Sequence, residues 1–114
     1  MRFDPIVTNP GRLTILTALL DDARQDFVTL RNQTRMTDGN LTTHARKLAS
    51  AGLVQIEKST RLGRAVTYIT LTTEGRAAFS RHVTQLTDHA AVSLAKISQQ
   101  PVLATQATED TWID

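Results

Sequence analysis

At 114 residues, 40% of them apolar, the chain can fill one modest core and has little left for a second. It contains no cysteine, which excludes disulfides and thiolate metal sites and fits a reducing compartment. The formal charge is only +2, but it is unevenly spread. Between Arg31 and Arg64 stand seven cations (Arg31, Arg35, Arg46, Lys47, Lys58, Arg61, Arg64) and two anions (Asp38, Glu57), so this window carries +5 and the remainder −3. A positive centre of this kind is expected of a protein with one anionic partner; the alternative is chance clustering on a solvated surface.

The opening M-R-F-D-P-I-V puts Asp4 and Pro5 where a secretory signal needs an apolar run. No stretch nears the roughly 18 apolar residues of a membrane span. A soluble, cytoplasmic protein with no membrane partner is expected. Asn9-Pro10 reads as a helix start, an Asn cap followed by Pro at the first helical position. Leu13, Ile15, Leu16, Leu19 and Leu20 follow at helical spacing, and Asp21-Asp22, unfavourable at a helix C-terminus, mark its end.

Asp26-Phe27 open a short second helix to about Gln33, with Phe27 and Leu30 inward and Val28 partly covered. Thr34-Arg35-Met36 form a turn. Thr37 caps a third helix from about Asp38 to Ala51, whose apolar stripe is Leu41, Ala45 and Leu48. Gly52 suits the position just past its end. Leu53, Val54 and Ile56 begin a strand, and Val66, Tyr68, Ile69 and Leu71 form its partner. The hairpin tip, Ser59–Arg64, holds Arg61, Gly63 and Arg64. Thr72 or Thr73 caps a last helix to about Gln99, stopped by Pro101. Residues 102–114 carry little pattern beyond Trp112 and Ile113.

The order of helix, helix, helix, strand, strand, long helix predicts a mainly α chain with a small β-hairpin (α+β), arranged as a winged helix-turn-helix. The outward positions of the third helix are Gly39, Asn40, Thr42, Thr43, Arg46, Lys47 and Ser50. These types suit a DNA groove. Arg46 can take guanine O6 and N7 together, Asn40 can read adenine, and Thr42 and Thr43 can meet a thymine methyl or a phosphate. Lys47 is read as a phosphate ligand, and Gly39 as a point of close approach to the DNA backbone. Arg61 and Arg64 at the wing tip, flanked by Lys58 and Arg35, are assigned to the sugar-phosphate backbone or the minor groove. Thr37 joins that backbone-contacting set. The competing reading is an ordinary polar helix face, against which stands the lack of any acid after Asp38.

The combination D-G-N-L-T-T-H-A-R-K-L-A-S-A-G-L-V, a basic hairpin and L-T-T-E-G-R-A-A-F resembles MarR/ArsR-like winged-helix transcriptional regulators. It looks most like a compact subgroup that opens F-D-P-x-x-x-x-P-x-R-L-x-I-L, present as Phe3-Asp4-Pro5 and Pro10-Gly11-Arg12-Leu13-Thr14-Ile15-Leu16. The resemblance covers about residues 3–80 and implies a dimeric DNA-binding regulator. Ala45 and Leu53 stand where that subgroup usually has Leu and an aromatic residue, so a smaller core is expected there.

In the last helix Phe79, Val83, Leu86, Ala90, Leu94 and Ile97 step by 4, 3, 4, 4 and 3, close to a coiled-coil seam. Val83, Leu86, Ala90, Leu94 and Ile97 are therefore the expected interface of a homodimer; packing on the first helix is the alternative. The expected layout is residues 1–80 as DNA-binding domain, 81–100 as helix extension for dimerisation, and 101–114 as flexible tail. His44 lies beside the core stripe and reads as a packing residue, with a pH switch as the sharper alternative. His82 and His89, seven apart, stand about 10 Å from each other, too far to share a metal ion. No cofactor or metal is implied, and no residue pattern specifies an effector. No nucleophile–base pair or phosphate loop is present, so an enzyme is not expected. The expected partner is double-stranded DNA, bound as a pseudo-palindromic operator. The alternative function is a winged-helix protein–protein module without DNA affinity.

Overall fold

The computed structural model describes residues 3–98, with side chains to Ala95. The element order is α1 (Pro5–Thr8), α2 (Pro10–Asp21), β1 (Arg24–Asp26), α3 (Phe27–Thr34), α4 (Asp38–Ser50), β2 (Val54–Arg61), β3 (Arg64–Leu71) and α5 (Thr73–Ser98). The chain divides into two compact units between His82 and Val83, within α5. The predicted tail beyond Ser98, with Pro101, Trp112 and Ile113, lies outside the described residues.

Local chemistry explains where the helices begin. At α2 the Asn9 side chain accepts from the Arg12 amide at 3.1 Å, and Pro10 supplies a preset φ at the first helical position. The same device recurs one step earlier: Asp4 accepts from the Ile6 amide at 2.9 Å ahead of Pro5, giving α1, a turn the sequence reading did not anticipate. Asp26 caps α3, accepting from the amide of Thr29 at 3.0 Å and from its hydroxyl at 2.7 Å. Thr37 caps α4, accepting from the Asn40 amide at 3.1 Å.

The end of α4 is a Schellman motif. The Gly52 amide donates to Ala49 O at 3.0 Å and the Leu53 amide to Leu48 O at 2.9 Å, with Gly52 at φ 78°. The buried side chains of Leu48 and Leu53 accompany it.

The β component is larger than the expected hairpin: three antiparallel strands in the order β1-β3-β2. β1 pairs with β3 through Arg24↔Thr70, Gln25↔Ile69 and Asp26↔Tyr68. Its sequence, R-Q-D, carries no strand pattern. It is held by tertiary context: the Leu71 amide donates to Ala23 O at 2.7 Å, and the buried Gln25 side chain donates to Ala18 O and Asp22 O. β2 and β3 pair from Val54↔Leu71 to Arg61↔Arg64, joined by a two-residue turn, Leu62-Gly63, with both φ values positive, as a type I′ turn requires.

The core of the first unit joins Val7 of α1, Ile15, Leu16 and Leu19 of α2, Leu30 of α3, Leu41, Ala45 and Leu48 of α4, Leu53, Val54, Ile69 and Leu71 around the sheet, and Ala78 of α5. Ala45 and Leu53, the two positions where a smaller core is expected, are buried members of it. Val28, expected to be partly covered, is 52% exposed, because α3 buries only Leu30 fully.

Thr72 ties the end of α4 to the start of α5. Its hydroxyl donates to Gly52 O at 2.7 Å and accepts from the Gly75 amide at 2.9 Å, while its own amide donates to Leu53 O. Gly75 is pressed against this junction: a Cβ there would clash with Leu53 O and come within 2.7 Å of Leu71 Cδ1. The Gly75→Ala variant should therefore lose about 2–3 kcal/mol of stability, read from the shift in urea midpoint at constant slope.

Candidate nucleic-acid interface

Rotation of α4 about its axis is fixed by its buried stripe, Leu41, Ala45 and Leu48, at spacings of four and three. The opposite side presents Gly39, Asn40, Thr43, Arg46, Lys47 and Ser50, all exposed. Thr42 is half-buried and turned toward the sheet. The Thr37 hydroxyl is already engaged as acceptor for the Asn40 amide, which leaves its proton free to donate outward. Arg35 is exposed in the turn before α4, in the left-handed region at φ 57°, its amide donating to Arg31 O.

The wing lies beside this helix. A cleft of about 360 Å³ runs between α4 and the sheet, lined among others by Thr42, Arg46, Ile56, Lys58 and Thr67. Arg46 of α4 and Lys58 of β2 thus share one concavity. Lys58, Arg61 and Arg64 are exposed along the outer half of the hairpin. The Asp26 carboxyl is held below the usual carboxylate range, first by the hydroxyl and amide of Thr29, with the positive field of Arg61 a small further contribution.

The ion pairs among the described residues are Arg31–Asp38 at 2.8 Å and Arg24–Glu57 at 3.8 Å. Both anions of the basic window are thereby answered by cations, Asp38 at the rim of the cleft that holds Arg46 and Lys58. Arg24 also stacks over the Tyr68 ring, 3.7 Å from its centroid.

Arg12 belongs to the opening motif of the sequence but was assigned no role there. Its buried guanidinium donates to Ile6 O at 2.7 Å and to Pro5 O at 3.2 Å, closing the open end of α1 onto α2. His44 projects from α4 onto the same helix. Its imidazole lies against Gly11, where a Cβ would stand 2.6 Å from Nε2, so glycine is what lets α4 come this close. The His44 Nδ1 is buried with no hydrogen-bond partner among the described residues. His82 is buried too, edge-on to the Phe3 ring with centroids 6.0 Å apart. Among the described residues no group of three His, Asp or Glu side chains is placed to hold a metal ion, and no helix is long and apolar enough to cross a membrane.

In the second unit, Val83, Leu86, Ala90 and Leu94 are exposed on α5. The side chain of Ile97 lies outside the described residues. Val92 is exposed as well but stands off that seam: nine residues past Val83, it is half a turn away.

A three-helix core carrying a basic recognition-type helix beside a basic two-stranded wing is the arrangement of a winged helix. The family model described as winged helix DNA-binding domain matches residues 12–89. The chain belongs to that family. It is 36% identical over 75 residues to the uncharacterized protein MJ0432 of Methanocaldococcus jannaschii, covering 66% of this chain and 82% of that one. Among solved structures it is similar to a transcriptional regulator homologue from Pyrococcus horikoshii OT3, with 30% identity, a TM-score of 0.71, and 75% of this chain and 85% of that chain covered. The YusO protein of Bacillus subtilis shares the fold at 21% identity and a TM-score of 0.71, over 93% of this chain and 73% of that chain. The winged helix expected from the residues is thus the one the chain holds.

The winged helix carries one built-in pH dependence. Burial first, then the cations of Arg12 and Lys47, hold the His44 pKa below its ordinary 6.5. A histidine depressed in the folded state is neutral in both states above 6.5, so stability is complete there. As pH falls below 6.5 the unfolded chain takes up the proton first, and stability declines until the folded pKa is passed. Urea midpoints should fall between pH 7.5 and pH 5.5 for the parent protein, and this fall should be shallower in His44→Gln.

Proposed function

We propose that the chain is a sequence-specific transcriptional regulator that binds a pseudo-palindromic operator as a homodimer. In this reading α4 enters the major groove, and the wing lies on the sugar-phosphate backbone or in the minor groove. The observation that carries it is the shared cleft of Arg46 and Lys58, beside a helix face with Asn40, Thr43 and Lys47 outward. Arg46 is assigned to guanine O6 and N7, and Asn40 to adenine N6 and N7. Thr43 meets a thymine methyl or a phosphate, and Thr42, at the cleft, a base edge from the side. Arg35, Thr37, Gly39, Lys47, Lys58, Arg61 and Arg64 are assigned to the DNA backbone. They supply affinity without sequence information.

Residues 1–80 act in this reading as the DNA-binding domain and 81–100 as the dimerisation extension. The exposed apolar seam Val83, Leu86, Ala90 and Leu94, continued in sequence by Ile97, supports pairing with the same helix of a second copy. Pairing would set two copies of α4 about one helical turn of DNA, or a multiple of it, apart. Regulation then follows from operator occupancy controlling access of the polymerase. The cytoplasm is the compartment this reading requires, and it needs no cofactor.

The decisive experiment is selection of bound duplexes from a random pool at several salt concentrations, which yields the half-site and its spacing together. Three to five neutralised phosphates per subunit should give log affinity against log salt a slope of about −3 to −4.5. Arg46→Ala should weaken the selected site by about 1–3 kcal/mol and relax the preference at one base position. Arg61→Ala and Arg64→Ala should weaken all duplexes alike, each flattening the slope by about 1. Analytical ultracentrifugation at micromolar concentration should show a dimer; a monomer there would remove the palindromic part of the reading.

A further inference from the structure

The wing tip holds a residue that the chemistry of a hairpin does not call for. Both positions of a type I′ turn take positive φ, and the residues suited to them are Asn, Asp and Gly. Here the first is Leu62, at φ 52°. A bulky, non-glycine side chain in the left-handed region is a genuine outlier, held there against its own preference. Nothing in the fold rewards it. Leu62 is 95% exposed, the most exposed large hydrophobic residue among those described, so it packs against no core and covers no neighbour.

Its flanks point to what it meets. Arg61 and Arg64 are cross-strand partners immediately on either side of the turn, so the apolar tip sits between two cations. Neither guanidinium forms an ion pair among the described residues, and Arg61 reaches the Asp26 carboxyl only through its field. An apolar finger between two cations suits a surface that is apolar at its centre and anionic at its rims. The DNA minor groove has that profile: deoxyribose walls and base edges within, phosphates along both lips. Side chains such as Leu are used elsewhere as wedges in that groove. The groove admits a two-residue tip more readily where it is free of the guanine N2 amino group.

We propose that Leu62 is a minor-groove wedge. Arg61 and Arg64 hold the two phosphate lips while the Leu62 side chain enters between them, and this gives the wing a preference for A·T pairs that phosphate contacts alone cannot give. The inference rests on the regulator reading above and adds a specificity-determining residue to it. It also accounts for a strained leucine at a site where Asn would be more comfortable.

The test compares the parent protein with Leu62→Asn and Leu62→Met on an A·T-rich duplex, and on the same duplex with 2,6-diaminopurine in place of adenine. That replacement adds an amino group to the minor-groove floor and leaves the major-groove edge unchanged. Leu62→Asn suits the type I′ turn better than leucine does, so loss of binding cannot be laid to a misfolded hairpin. The expected result is about tenfold weaker binding per wing for Leu62→Asn, near-parental binding for Leu62→Met, and an unchanged salt slope in both. Diaminopurine should weaken the parent and leave Leu62→Asn nearly indifferent. Equal binding by parent and Leu62→Asn on both duplexes overturns the wedge while the regulator reading stands. Equal loss on both duplexes, or a concentration-dependent self-association that Leu62→Asn abolishes, assigns the leucine to another surface and also overturns it. If the parent binds no duplex at all, the regulator reading fails and the wedge fails with it.

Discussion

The angular setting of one helix governs everything else in this molecule. Leu41, Ala45 and Leu48 bury one side of α4 against α2, α3 and the sheet, and burying them determines which residues are left outside. A rotation of one residue, about 100°, would carry polar groups into the core. Each would then lack a hydrogen-bond partner at a penalty of a few kcal/mol. The setting is reinforced at both ends. Thr37 fixes the first turn, and the Gly52 motif, clamped by Thr72, fixes the last. The small Ala45 lies along the cleft shared by Arg46 and Lys58.

Charge follows the same geometry. The positive window of the sequence remains positive in three dimensions because its two anions are both paired. Asp38 answers Arg31 across the turn between α3 and α4, and Glu57 answers Arg24 across the sheet. Both pairs are partly solvated, so each contributes little to stability. Asp38 itself lines the cleft of Arg46 and Lys58, so its pairing with Arg31 offsets its charge there without removing the carboxylate. Arg12, buried beneath α1, serves architecture instead: two of its guanidinium nitrogens each satisfy a carbonyl that a four-residue helix leaves open.

Much of this was legible in the residues, and the reasons are local. Asn9-Pro10, Thr37 and Gly52 carry chemistry that starts or stops a helix wherever it occurs, and the 4-3 stripe of α4 gave its outward face except at Thr42, which the sheet half covers. The same chemistry at Asp4-Pro5 was not read as a helix because four residues offer no periodicity to support it. β1 was invisible for a deeper reason. R-Q-D has neither alternation nor β-branched residues, and becomes a strand only because β3 offers an open edge and Gln25 finds two carbonyls to hold. The nearness of Arg46 to Lys58 was similarly beyond the sequence, since it follows from how the sheet seats against α4. Val28 shows the limit of reading burial from residue type: an apolar residue on a short helix with one buried position stays half in water.

β1 has a mechanical consequence. It ends at Asp26↔Tyr68, so the sheet is three strands wide at its base and two strands wide over the last four pairs, from Lys58↔Thr67 to Arg61↔Arg64. Asp26 is at once the last residue of that third strand and the cap of α3, so the wide base moves only with the helices. The narrow remainder is a ribbon of a kind that is marginal by itself, supported from one end. The first unit is therefore stiff at its helices and compliant at its hairpin: a rigid platform carrying a short spring, which in the proposed complex can twist to follow a groove of varying width.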